Sequence, residues 1–193
     1  MQKFIAKLGE GYLPSEKEFR EIYQGLSFMN KITFREKYTA KFSWSIITQE
    51  VISKIKDVSK SKKILEVAAG SGYLAKHLQD AGVEVVATNL NDTDWDVNDV
   101  SFSDVQDIDA IDAIDTIDFD IVLFSWCPYE SDLATKVFQN LGTGKIYIHI
   151  GEGWYGCTAN DEFFETIEGH SSEAIHLLTF DGINDYMEVI KKS

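Results

Sequence analysis

The spacing of apolar residues changes along the chain. Phe19, Ile22, Tyr23 and Leu26 recur at helical spacing behind Ser15-Glu16-Lys17-Glu18, a capping box that follows Pro14. Thr33-Phe34-Arg35-Glu36 has the same form and predicts a second helix start. Ile47, Val51, Ile52, Ile55 and Val58 mark an amphipathic helix, closed by the polar turn Ser59-Lys60-Ser61-Lys62. Beyond it, short apolar runs alternate with helical stretches. Strands are predicted over residues 63–67, 83–88, 100–102, 120–124, 145–150, 175–180 and 186–191. Helices are predicted over 73–81, with Gly82 as the stop, and from Ser131 to Leu141. A shorter helix, capped by Thr158 and Asp161, is expected to end near Glu168. Between 107 and 118, Ile108, Ile111, Ile114 and Ile117 fall every third residue with Asp109, Asp112, Asp115 and Asp118 among them. That pattern suits a short helix with one apolar stripe and a solvated acidic face.

Strands alternating with helices imply a parallel sheet with right-handed crossovers. The short link at 181–185 permits only an antiparallel join of the last two strands. The expected architecture is α/β: a seven-stranded, mostly parallel sheet with a C-terminal antiparallel hairpin, over residues 46–193. Residues 1–45 form a helical N-terminal cap. Phe4, Tyr12, Phe19, Tyr23, Phe28, Phe34, Tyr38, Phe42 and Trp44 crowd that cap. Most are expected to pack it onto the sheet, and some to line a pocket, since pockets are mostly apolar and aromatic.

The 193 residues carry a formal net charge of −14. Such a surface repels phosphate backbones, so nucleic acid is disfavoured as a partner. No apolar run approaches the ~20 residues of a membrane helix, and Met1-Gln2-Lys3-Phe4 does not open a signal peptide. Cys127 and Cys157 form no metal-binding or redox pair, so reduced thiols in the cytoplasm are the expectation. Composition says nothing about oligomeric state.

Chemistry concentrates in Ile64-Leu65-Glu66-Val67-Ala68-Ala69-Gly70-Ser71-Gly72-Tyr73. An apolar run ends in an acid, passes a small-residue turn and opens a helix. Glycines let backbone approach a ligand, and the helix start offers free N–H groups. Nicotinamide-binding proteins use G-x-G-x-x-G, whereas here Glu66 precedes Ala68-x-Gly70-x-Gly72. An acid there suits a cationic ligand and sits badly beneath a pyrophosphate. Asn89, 23 residues after Glu66, stands where the second strand should end in a group for ribose hydroxyls; Asp92 or Asp94 offers a substitute.

The acid-x-G-x-G-x-G order resembles the first motif of class I S-adenosylmethionine (SAM) methyltransferases. The resemblance covers residues 38–193 and points to a small methyltransferase-like subgroup. It implies a Rossmann-like class I methyltransferase fold and SAM as cofactor, and no substrate; a small-molecule or protein acceptor is the working expectation. The resemblance further implies that Asp104 accepts from the adenine amino group, that Ser125 meets the methionine end, and that Tyr38 and the Phe42-Ser43-Trp44-Ser45 segment close over the methionine carboxylate. Trp95, in the loop after the second strand, is expected either to stack on adenine or to pack against the protein. Two positions depart from the pattern. Ala68 replaces the usual glycine, which predicts weakened or reshaped binding. Ser125-Trp126-Cys127-Pro128-Tyr129 resembles the Asn/Asp-Pro-Pro-Tyr motif of amino-methyltransferases. Trp126 fills the place of its amine-holding residue, yet an indole has no acceptor.

Gly151-Glu152-Gly153-Trp154-Tyr155-Gly156-Cys157 leaves the fifth strand at the edge where open parallel sheets bind ligands. Tyr129, Glu152 and His149 are the candidates for orienting an acceptor. His149 reads first as a core histidine and only second as a base. His77, His149, His170 and His176 show no metal spacing. The leading expectation is a SAM-dependent methyltransferase. The departures at Ala68, Asn89 and Trp126 support the alternative, a non-catalytic SAM-binding or protein-interaction scaffold on a degenerate fold.

Overall fold

In the computed structural model, which describes residues 1–90 and 101–193, the sheet has seven strands. They are β1 (Ile64–Val67), β2 (Val85–Asn89), β3 (Val105–Asp107), β4 (Ile121–Ser125), β5 (Ile146–Gly151), β6 (Ser171–His176) and β7 (Tyr186–Lys191). Their order is β3-β2-β1-β4-β5-β7-β6, with β7 antiparallel to both neighbours and the rest parallel. Chain direction across the sheet reverses between β1 and β4. In open α/β sheets ligands bind at such a switch point, beyond the strand C-termini.

Eight helices among the described residues cover the sheet. They are α1 (Gln2–Gly9), α2 (Glu16–Gln24), α3 (Phe28–Thr39), α4 (Gln49–Ser59), α5 (Tyr73–Asp80), α6 (Ala110–Thr116), α7 (Leu133–Asn140) and α8 (Asp161–Ile167). Alternation along β1 explains the layering. Ile64 faces a core built with α1–α5, and Leu65 and Val67 face one built with α6–α8. The N-terminal aromatics do not form a separate cluster. Phe19, Tyr23, Phe34 and Tyr38 each pack a ring against Phe180, just after β6. Three of these pairs are edge-to-face and the Phe34 pair is tilted, and aromatic pairs add ~0.5–1.5 kcal/mol each beyond burial. Among the described residues no helix is long and apolar enough to cross a membrane.

Four local expectations are corrected. Ser15 does cap α2, accepting from the Glu18 N–H at 3.2 Å. Thr33, however, starts nothing: α3 already runs through it from Ser27, because Phe28 and Met29 extend the helix toward solvent. α8 is capped by Asn160, whose side chain accepts from Phe163 N–H at 3.0 Å, and not by Thr158 or Asp161. The third strand lies at Val105–Asp107, past the expected 100–102. The sixth lies at Ser171–His176, before the expected 175–180, because Leu178 and Phe180 are buried in the N-terminal core and leave the ladder.

Candidate functional site

The turn after β1 and Asn89, the last residue of β2, line a shared space. After β1 the chain takes left-handed φ at Ala68 (50°), Gly70 (54°) and Gly72 (70°). The turn is fastened on three sides. Ala69 N–H donates to Thr88 O at 2.9 Å, Gly70 N–H donates to Asn89 Oδ1 at 3.3 Å, and Ser71 Oγ donates to Phe42 O at 2.8 Å. A Cβ at Gly72 would collide with Ser103 and Val105, so that glycine serves close packing, whereas Gly70 faces open space. Ala68 takes the same left-handed region at a cost of ~1–2 kcal/mol.

Beyond this turn lies a cleft of about 570 Å³. Its walls bring together Trp44, Glu66, Gly70, Asn89, Ser125 and Tyr129 from the candidate set. Glu66 is 2% exposed. Its carboxylate takes a hydrogen bond from Ala75 N–H, and its Oε2 has no partner among the described residues. Burial pushes its pKa up to about 8. Ser125 Oγ is likewise buried and unpartnered among the described residues. Two orphaned polar atoms on one cleft wall are a demand for a polar ligand, since a buried unsatisfied group costs ~1–3 kcal/mol.

The cleft lining also includes aromatic side chains. Trp44 stacks on Trp126 with centroids 5.4 Å apart and planes 20° from parallel. Trp126 holds φ at 57°, and its Nε1 donates to both oxygens of Asp185, at 3.1 and 3.2 Å. Asp185 is buried, which raises its pKa to about 6 against the opposing effect of that hydrogen bond. Tyr129 Oη donates to Glu130 Oε1 at 2.9 Å at the cleft rim. The 3.0 Å bond from Ile47 N–H to buried Tyr38 Oη anchors the segment that carries Phe42 and Trp44.

Other candidates sit elsewhere. Ala68 packs toward the core on the α6–α8 side. Asp104 is exposed and does not line the cleft. His149 is fully buried against Phe163, Phe164 and Tyr186, with Nε2 3.3 Å from Glu152 O. Burial lowers its pKa to about 4, so it is a neutral core imidazole. Glu152 turns inward, accepting from Cys157 N–H at 2.9 Å and Asn184 N–H at 3.1 Å, and so pins the 151–158 loop. Of the three acceptor-orienting candidates only Tyr129 reaches the cleft. Of the aromatics in that loop, Trp154 packs on Phe164 while Tyr155 is 91% exposed. Asp92, Asp94 and Trp95 lie outside the described residues. Lys41 and Glu130 also line the cleft; each adjoins a residue singled out by sequence, Phe42 and Tyr129. Asp185 gave no signal, since it ends a polar turn.

The strand order, the closing antiparallel β7 and the glycine turn beside a buried acid together define a class I SAM-dependent methyltransferase fold. The family model described as "Tellurite resistance protein TehB" matches residues 28–158, and the chain belongs to that family. A precorrin-6y C5,15-methyltransferase from Geobacter metallireducens GS-15 superposes with a TM-score of 0.50 at 13% identity, over 75% of this chain and 90% of that one. A SAM-dependent methyltransferase from Archaeoglobus fulgidus gives 0.50 at 13% identity, over 75% and 94%. A mutant of MtNAS in complex with S-adenosylmethionine gives 0.51 at 16% identity, over 99% and 76%. At these identities the likeness is one of fold. No curated protein matches the chain by sequence. Family and fold neighbours support S-adenosylmethionine as the cofactor.

Proposed function

We propose that this protein is a SAM-dependent methyltransferase acting on a small-molecule or protein acceptor. One observation carries the reading: Glu66 lines a cleft at the β1/β4 switch point, beside Gly70 and Ser125, and holds a buried carboxylate oxygen with no partner among the described residues. That donor set fits the methionine half of SAM. Glu66 offers charge to its ammonium, Ser125 Oγ a hydrogen bond, and the open side of Gly70 leaves room for close approach. Bound there, SAM supplies an electrophilic methyl group on a sulfonium. Asn89, at the end of β2 in the cleft lining, is a group for ribose hydroxyls, although its oxygen already accepts from Gly70 N–H and its nitrogen donates to Leu90 O at 3.2 Å.

Methyl transfer asks the protein chiefly for position, an in-line approach worth up to ~7–11 kcal/mol when the geometry is held. The stacked Trp44–Trp126 pair forms part of the cleft lining. Glu130, hydrogen-bonded by Tyr129, is the rim group able to take a proton from an incoming acceptor. The free thiols Cys127 and Cys157 fit a reducing, cytoplasmic setting.

Titration calorimetry with SAM and S-adenosylhomocysteine tests the reading. Micromolar binding of both, abolished by Gly70→Trp, is expected. A panel of tellurite, thiols, amines and peptides with methyl-labelled SAM then finds the acceptor; tellurite belongs there because the family description names it. Absence of binding by either nucleoside sinks the proposal.

A further inference from the structure

A second groove, of about 350 Å³, opens beside the cleft and shares Thr39 and Trp44 with it. It is formed largely by one face of α3. Three features give it a chemical character. Its apolar lining is unusually exposed: Phe28 is 74% exposed, Ile32 40% and Trp44 46%. Its lining carries two cations, Lys31 and Arg35, and two acids, Glu36 and Asp181. Of the two cations lining the groove, Lys31 is engaged, bonded to Asp181 at 2.9 Å with its ammonium 4.9 Å from the Tyr23 ring centroid. The guanidinium of Arg35 makes no hydrogen bond or ion pair among the described residues, and it acts electrostatically on the buried Asp185, which is hydrogen-bonded by Trp126.

A planar guanidinium in a partly apolar groove takes carboxylate in a two-pronged hydrogen bond. Methyl transfer needs a second ligand next to the cofactor, and this groove reaches the cleft at the Trp44–Trp126 pair. We infer that the α3 groove is the acceptor subsite, and that it takes a small molecule with an apolar, ring-sized body and an anionic carboxyl group held by Arg35. This rests on the methyltransferase reading. The body lies along Phe28, Ile32 and Trp44, and its far end reaches the cleft past Trp44. Concavity and continuity with the cleft favour a small molecule over a lipid surface, which needs a convex apolar face.

The experiment uses the full chain saturated with S-adenosylhomocysteine, with naphthoate and its neutral amide as probes. Tryptophan fluorescence gives affinity, and amide chemical shifts give the location. Naphthoate is expected to bind at least tenfold more tightly than naphthamide, with shifts on α3. Arg35→Gln should erase that preference and leave S-adenosylhomocysteine affinity unchanged, Arg35→Lys should keep part of it, and Phe28→Ser should weaken both probes alike. Equal binding of acid and amide, a preference that survives Arg35→Gln, or shifts away from α3 would overturn the inference while cofactor binding still stood. Sedimentation with phosphatidylglycerol vesicles in place of probe binding would overturn it by assigning the helix to a membrane surface. Failure of S-adenosylhomocysteine to bind removes the underlying reading and the inference with it.

Discussion

Glu66→Gln removes one charge and keeps the shape of the side chain. The unfolded chain loses the Glu66 proton near the ordinary value of 4.5, and the folded chain holds it until about pH 8. Between those values the folded state binds the extra proton, so stability falls as pH rises and levels off above about 8. At ~1.36 kcal/mol per pH unit the interval is worth ~5 kcal/mol, which water entering the cleft reduces to ~2–3 kcal/mol. Urea unfolding followed by circular dichroism at pH 5, 7 and 9 reads this directly. Variant and wild type should agree near pH 5, and the variant should be the more stable by ~2–3 kcal/mol at pH 9. Cofactor binding should run the other way. An ammonium requires the ionised carboxylate, whose population rises about 50-fold between pH 6 and 8 for a group titrating near 8, so wild-type SAM affinity should rise by about that factor. Glu66→Gln should bind weakly at both pH values. A wild-type affinity that is flat from pH 6 to 8, or a variant as destabilised at pH 9 as the wild type, would refute the assignment of Glu66 as the buried, ligand-facing acid.

Ala68→Gly relieves a left-handed alanine, and after the extra entropy of an unfolded glycine is deducted, a gain of ~0.5–1 kcal/mol remains. Calorimetry should show Tm higher by ~1–4 °C, and an unchanged Tm would show that the turn stores no strain there. Trp126→Phe strips the indole N–H from Asp185. That hydrogen bond favours the ionised form of a group titrating at about 6, so the loss should be ~1–3 kcal/mol at pH 8 and shrink toward pH 5. An equal loss at both pH values would assign the effect to packing. Glu152→Ala leaves the Cys157 and Asn184 N–H groups without an acceptor and should cost ~2–4 kcal/mol in urea unfolding. The SAM affinity of the folded fraction should stay within about threefold, and a larger drop would place Glu152 in the binding machinery.

What the sequence made legible follows from burial. β1, β4, β5 and β7 pair on both sides and carry apolar runs that stand out, and the residues expected for β7 form it. β3 and β6 are the sheet edges. β3 is only Val-Gln-Asp, and most of β6 is exposed, so neither shows an apolar pattern. The apolar run near 175–180 was real, yet its purpose was to fill the core beneath α1–α3. In the site, the glycine turn and strand ends were readable because such motifs join backbone shape to chemistry within a few residues. Side-chain direction was not readable. His149 lies within β5 and Glu152 follows it at the correct edge of the sheet, but each turns inward, one into aromatic packing and the other to cap loop N–H groups.

The ring of Phe180 against Phe19, Tyr23, Phe34 and Tyr38 has a consequence for how the chain is made. The first helices emerge from the ribosome 146 residues before the side chain that completes their packing, as counted from Phe34 to Phe180. At ~5–20 residues per second that is a wait of roughly 7–30 s with several aromatic faces uncovered. A nascent chain arrested before Phe180 should therefore be held by a chaperone, while one arrested after it should let go.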